Sequence, residues 1–148
     1  MSDLTYERLL NENDPAVPCL KKIFELPEIS KYISIGENYF RYVTDTPDVY
    51  FYKIYDHDRL IGSIHLEKQG ETLFMDILVF PEFQGVGVGK TVLKDIQTDI
   101  FQLDYKKIEI AIDESNIASL SLFENAGFIR SSKDDELISF IYQRIVDE

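Results

Sequence analysis

The chain has 148 residues, of which 45% are hydrophobic and 28% charged, enough to bury a real core and too apolar for a disordered polymer. Fifteen Lys and Arg stand against 27 Asp and Glu, a net charge of -12, which argues against nucleic acid and anionic membranes as partners, since both need clustered cations. A single cysteine, Cys19, excludes an internal disulfide and a cysteine-based zinc site, and two histidines, His57 and His65, leave little for a histidine metal cluster. No apolar run is long enough to span a bilayer, and Met1-Ser2-Asp3 does not begin a signal peptide. The expectation is one domain over residues 1–148, located in the cytoplasm.

Asp14-Pro15 is a helix-start signal, and residues 17–26 carry Leu20, Ile23 and Phe24 at helical spacing. Pro27 interrupts, residues 28–35 predict a second short helix, and the N-terminal third reads as mainly helical. Cys19 reads as a small core residue of the first helix. Residues 49–55, 60–68 and 71–80 are rich in aromatic and β-branched side chains and predict a meander of three strands. Its turns are Asp56-His57-Asp58-Arg59, which puts His57 on the surface, and Gln69-Gly70; Pro81 closes the third strand. Residues 89–103 then predict a helix through Val92, Leu93, Ile96 and Ile100, residues 107–112 a strand, and residues 115–125 a helix ended by Gly127. Strands at 128–131 and 137–145 flank the turn Lys133-Asp134-Asp135. This order describes an α/β (α+β) fold with a mixed sheet and helices on its faces, not a doubly wound parallel sheet.

The most informative segment is Phe80-Pro81-Glu82-Phe83-Gln84-Gly85-Val86-Gly87-Val88-Gly89-Lys90-Thr91, where a strand ends, three alternating glycines follow and a helix begins. The first amides of a helix lack internal acceptors and carry the positive end of its dipole, so such a loop suits a phosphate or pyrophosphate. The dinucleotide fingerprint fails on spacing, because Lys90 and Val92 stand where its third glycine belongs. A P-loop matches at Gly89-Lys90-Thr91 but has Gln84 in place of its first glycine, and the segment follows an antiparallel meander. A P-loop nucleotide-binding protein is therefore the weaker alternative.

Gln84-Gly85-Val86-Gly87-Val88-Gly89 resembles the Q/R-x-x-G-x-G/A loop of the GNAT-type N-acetyltransferases. Asn116-Ile117-Ala118-Ser119-Leu120-Ser121-Leu122-Phe123-Glu124-Asn125-Ala126-Gly127-Phe128 resembles that family's N-x-x-[AS]-x-x-L-[YF]-E-x-x-G-F signature. The resemblance runs from Val49 to the C-terminus. It implies a mostly antiparallel sheet of six to seven strands, helices on both faces, and a splay between the fourth and fifth strands. It further implies acetyl-CoA as donor, with its pyrophosphate on the amides of Gln84, Gly85, Val86, Gly87, Val88, Gly89 and Lys90, and its pantetheine arm on the backbone of Leu78 and Val79. Asn116, Ser119 and Phe123 match positions beside the cofactor; Asn116 reads equally as a helix cap. The implied reaction is direct attack of a primary amine, of a small molecule or peptide, on the thioester, with the Val79 amide polarising the carbonyl.

Phe123 stands where many family members carry a tyrosine that protonates the departing thiolate. Three routes stay open: a water or another hydroxyl serves, the thiolate leaves unassisted, or the domain is catalytically weak. A non-catalytic acyl-CoA-binding or interaction module is therefore the other reading. For the base, a Gln69-Gly70 turn pairs Lys68 with Glu71 and His65 with Phe74, and sets Ser63 opposite Asp76. Alternation then gives Ser63, His65, Glu67 and Asp76 one polar face, where a base or a bound water belongs, and Gly62, Ile64, Leu66, Leu73, Met75 and Ile77 the apolar one. The family pattern builds the acceptor side from the first two helices, their loop and the last hairpin; these regions carry Tyr32, Tyr39, Phe40, Tyr42 and Tyr142 with Glu28, Glu37, Asp45 and Asp48, which read either as groups suited to a cationic amine or as core aromatics and an acidic surface. A homodimer is expected from the family pattern alone.

Overall fold

The structure is a computed structural model, and it describes residues 4–144; Met1-Ser2-Asp3 and the expected strand end at Ile145 lie outside the described residues. In α1 (Val17–Glu25) the buried residues Val17, Leu20 and Phe24 recur at three- and four-residue spacing, one apolar stripe of a surface helix. Asp14 accepts from the Ala16 amide at 2.8 Å just ahead of it. Cys19 lies off the stripe and is exposed, so it is not the core residue that its type suggested. The chain then makes the single turn α2 (Pro27–Ser30), shorter than the expected 28–35, and α3 (Tyr39–Asp45).

The meander is β2 (Val49–Asp56), β3 (Arg59–Gln69) and β4 (Thr72–Val79), closed by a short 3-10 turn at Pro81–Phe83. α4 (Val88–Gln97), β5 (Lys107–Asp113), α5 (Ile117–Asn125), β6 (Ile129–Asp134) and β7 (Leu137–Gln143) follow. α4 stops well short of residue 103. Asp99 and Gln102 take left-handed φ of 67° and 53°, which ends helical geometry, and Ile100 is left 46% exposed. One further strand, β1 (Leu4–Arg8), pairs antiparallel with β2 at the sheet edge, in the third of the chain expected to be helical. Only its first residue is buried, so it carries almost no apolar alternation.

The seven strands run in the order β1-β2-β3-β4-β5-β7-β6, antiparallel except for β4 and β5. One hydrophobic cluster packs α4 and α5 on one face, around Ile64, Leu66, Leu73, Met75 and Ile108. A second packs α1, α2 and α3 on the other, around Phe51, Leu78 and Phe80. The β3–β4 turn is Gly70-Glu71 rather than Gln69-Gly70, because Gly70 takes φ 62° at its first position. The register therefore moves by two: Gln69 pairs Thr72, Lys68 pairs Leu73, His65 pairs Asp76, and Ser63 pairs Leu78. A shift of two preserves the faces, so Ser63, His65, Glu67 and Asp76 still share one side. Among the described residues no helix is long and apolar enough to cross a membrane.

Two backbone irregularities shape the centre. β4 pairs with β5 only from Thr72 to Phe74, against Lys107 to Glu109. Beyond that β4 pairs with β3 and β5 with β7, so the sheet opens from Met75 and Ile110 onward. On the other side of β4, the β2–β3 register shifts so that Ile61 has no partner, a bulge. The next residue, Gly62, has no room for a side chain: a Cβ there would collide with the Leu78 carbonyl oxygen. Gly62→Ala must push β4 outward, and we expect a loss of about 2 kcal/mol, the range for overpacking, in urea unfolding. A loss under about 0.5 kcal/mol would mean that the strand pair yields freely.

Candidate active site

The opening between β4 and β5 is the entrance to a cleft of about 350 Å³. The Phe80 amide donates to the Ile61 carbonyl at 2.9 Å, so by strand alternation the peptide groups of Val79 and Ile77 face away from β3, into the gap. The Val79 carbonyl is taken up by Gln84 Nε2 at 2.9 Å; its amide has no β5 partner, since the parallel ladder ends at Phe74.

The glycine segment closes one end of the cleft. Gly85 and Gly87 have φ of 77° and 92°, left-handed values that cost other residues about 1 kcal/mol or more. This geometry turns the chain straight into α4, with Gly87 as its N-cap. The Thr91 amide is the one bonded to the Gly87 carbonyl, at 3.1 Å, so the amides of Val88, Gly89 and Lys90 precede the first intrahelical bond and carry the positive end of the dipole. Gly89 serves packing: a Cβ would come within 2.9 Å of Leu122 on α5.

α5 forms the facing wall. Asn116 is its N-cap, its Oδ1 accepting from the Ser119 amide at 3.3 Å; Asn116 also lines the cleft, so the two sequence readings of this residue coexist. Phe123 lines it too, 3% exposed, its ring edge-on to Phe128. Of the residues expected around the cofactor, the cleft gathers Leu78, Val79, Gln84, Gly85, Gly87, Val88, Gly89, Lys90, Asn116, Ser119 and Phe123. Val86 is not among its walls and is 61% exposed.

A second cavity of about 210 Å³ adjoins the cleft, with Ile33, Ile77 and Leu78 as common wall. Its polar lining includes Ser63, His65 and Asp76 from the expected polar face, with Tyr39 from α3. Tyr39 Oη lies 2.8 Å from His65 Nδ1, and His65 Nε2 lies 3.4 Å from Glu67 Oε1. Glu67 also accepts from Tyr42 at 2.7 Å and from Gln69 Nε2 at 3.0 Å. A carboxylate only accepts, so the imidazole proton belongs on Nε2 and Nδ1 receives the Tyr39 hydroxyl. Glu67 is thus brought to His65 without itself lining the cavity. Of the expected acceptor-side residues, Phe40 is core, Tyr142 packs on Phe128 across the sheet, and Glu28 and Tyr32 line the larger cleft. Glu37, Asp45 and Asp48 line neither cavity.

The charges follow from these contacts. Burial favours the neutral form of the Glu67 carboxyl, but its hydrogen bonds from Tyr42, Gln69 and His65 outweigh burial and leave it below the usual carboxylate range. Burial lowers His65 against the opposing pull of Glu67, so the imidazole is neutral at pH 7. Burial, then the charges of Asp76 and Glu67, raise Tyr39. Asp76 keeps exposed surface and is one of the residues that line the cavity. Burial and the nearby Glu67 charge push its carboxyl up to about 6. Among the described residues no group of three or more His, Cys, Asp and Glu could hold a metal ion.

The Acetyltransferase (GNAT) family model matches residues 8–128. Mycothiol acetyltransferase of Geodermatophilus obscurus is 28% identical over 93 residues, 57% of this chain and 30% of that protein, so the chain spans less than a third of that relative's length. Among solved structures, a domain from Methanocaldococcus jannaschii superposes with a TM-score of 0.81 at 19% identity, covering 97% of this chain and 99% of that one. Spermidine N-acetyltransferase from Vibrio cholerae, in complex with CoA and spermine, gives 0.80 at 17% identity, covering 96% of each chain. At these identities the superpositions establish the fold.

The left-handed turn and free amides make Gly87 the sensitive point for an anionic ligand. Gly87→Glu places a carboxylate at the helix N-terminus and a side chain where φ is 92°. We expect it to abolish the rise in thermal midpoint produced by CoA while the protein remains folded by circular dichroism. An unchanged CoA shift would remove the anion from this loop.

Proposed function

The chain belongs to the GNAT acetyltransferase family, and on that premise we propose that it transfers an acetyl group from acetyl-CoA directly to a primary amine. The observation that carries the reading is the shared wall at Ile77 and Leu78, where the amide-lined cleft meets the acidic cavity. Acetyl-CoA lies in the larger cleft. Its pyrophosphate faces the α4 N-terminus, where dipole and free amides favour an anion, and its arm runs along the open edge of β4. The thioester carbonyl receives the Val79 amide, which polarises it. The acceptor lies in the smaller cavity, a small molecule by volume, its ammonium drawn by Asp76 and flanked by the Tyr39 ring. Resemblance in fold to a spermidine N-acetyltransferase bound to CoA and spermine supports a cationic amine.

An ammonium cannot attack; it must lose a proton first. In this reading Asp76 takes it, with His65 its cross-strand neighbour and Glu67 and Tyr39 bonded to that imidazole. The base must be ionised. Its raised folded-state value means that Asp76 is protonated below about 6 and works above it. A P-loop reading gives way, since the glycine segment lies inside the matched family region. The non-catalytic module keeps one specific support, the buried Phe123 without a hydroxyl.

Thermal-shift titration with acetyl-CoA, CoA and Mg-ATP, followed by thiol release with a panel of small and peptide amines, tests the reading. Ligand at a hundred times its dissociation constant adds about 2.7 kcal/mol, a rise of several degrees for a domain of this size. We expect the rise with both CoA species, none with Mg-ATP, and amine-dependent thiol release. CoA binding without release on any amine would favour the module. In the active protein, kcat/KM should climb through about pH 6, and Asp76→Asn should lower it by about a hundredfold or more and erase that limb. A surviving limb would pass the base to another group.

A further inference from the structure

Collapse of the tetrahedral adduct breaks a carbon–sulfur bond, and the sulfur leaves as a thiolate that needs a proton. On the α5 wall Phe123 offers none, and its ring is spent packing on Phe128. The cleft is lined by two hydroxyl side chains, Tyr32 and Ser119. Ser119 sits in the first turn of α5 under the Asn116 cap, and an aliphatic alcohol is too weak an acid to protonate a thiolate. A phenol is much closer in strength to a thiol, which suits transfer in the transition state. Lys90 also lines the cleft, but at the start of α4, the end assigned above to the pyrophosphate.

Resting on the acetyl-transfer reading, we propose that Tyr32 is the catalytic acid that protonates the departing CoA sulfur. Tyr32 enters from the wall opposite α5, just after α2, and shares the cleft with Ile77, Leu78 and Val79 at the open edge of β4. Its backbone is fixed, its amide donating to Ile29 at 3.0 Å while Ile33 donates to the same carbonyl at 2.9 Å. Tyr39 and Tyr42 spend their hydroxyls on His65 and Glu67; among the described residues, the Tyr32 hydroxyl has no protein partner and its proton is free to leave. Lys31 Nζ lies over the Tyr32 ring, 4.9 Å from its centroid, a cation–π contact that helps hold the ring.

The step balances. The amine, neutral once its ammonium proton has passed through Asp76 to water, forms the bond from nitrogen to the acetyl carbon and gives the tetrahedral adduct. As the carbon–sulfur bond breaks, nitrogen gives up its surplus proton to the ionised Asp76 and sulfur takes one from Tyr32 Oη. The Asp76 proton returns to the Tyr32 phenolate through water, leaving amide and free CoA thiol.

Tyr32→Phe keeps the ring and removes the acid. With an amine that the unmodified protein acetylates, we expect kcat to fall at least about tenfold, with KM for acetyl-CoA and the CoA-induced thermal shift unchanged. We further expect the descending limb of kcat at high pH, present in the unmodified protein, to disappear. A kcat within about threefold of the original, with that limb intact, overturns the role of Tyr32 and leaves acetyl transfer standing. A fall in kcat matched by a lost CoA shift or a lower thermal midpoint makes Tyr32 structural and equally overturns it. If the unmodified protein binds CoA yet releases no thiol with any amine, the acetyl-transfer reading itself fails, and the acid role fails with it.

Discussion

Between β4 and β5 only three residues on each strand are paired, and the rest of the molecule is organised around that short ladder. Along it the sheet is continuous; beyond it the two strands diverge, each held on its other side by an antiparallel neighbour. An unpaired strand edge inside a protein is costly, because each peptide group has lost water without gaining a partner. In the proposed function that edge serves as a binding surface. Val79 hands its carbonyl to Gln84 and keeps its amide facing the gap. The bulge at Ile61 and the bare Cα of Gly62 hold the far end of β4 in line. Backbone donors and a helix N-terminus line this opening, and a polar pocket adjoins it.

The second requirement is a polar pocket within an otherwise apolar layer. The α1–α3 side of the sheet buries Phe51, Leu78 and Phe80, yet it also contains Ser63, His65 and Lys53. Each is accommodated differently. Lys53, 5% exposed, is neutralised by Asp14 at 2.8 Å, which also ties the approach to α1 down onto β2. His65 is kept neutral by burial, against the pull of Glu67, and is oriented by Tyr39 and Glu67, while Ser63 opens onto the cavity. Asp76 instead meets burial and the charge of Glu67, and these raise its proton affinity. Satisfied neighbours around one dissatisfied carboxyl give the pocket its chemistry.

Much of this was legible because the central strands alternate cleanly. The faces of β3 and β4 followed from residues 60–80 even though the turn was placed one residue early, since a register error of two cannot move a side chain across the sheet. The donor loop was legible through its glycine spacing. β1 was not: Leu4 is its one buried residue, and an edge strand with a single anchor has no periodicity to read. α4 was overextended because Ile100 continues the apolar spacing, and only the backbone turn at Asp99 stops it. The contacts that give the pocket its character join Tyr39 to His65 across 26 positions and Tyr42 to Glu67 across 25. Such pairs arise from tertiary packing, and no local pattern encodes them.

Ile33, Ile77 and Leu78 form one wall with two sides. Where a molecule on one side shifts these side chains, it changes the surface that the other side meets. Occupancy of the two cavities is then thermodynamically linked, and the linkage is reciprocal: whatever factor one ligand imposes on the affinity of the second, the second returns to the first. The wall itself is made of three aliphatic side chains without a charge among them, so this communication depends on packing rather than on the field. It should accordingly persist at ionic strengths that screen the acidic exterior of the protein.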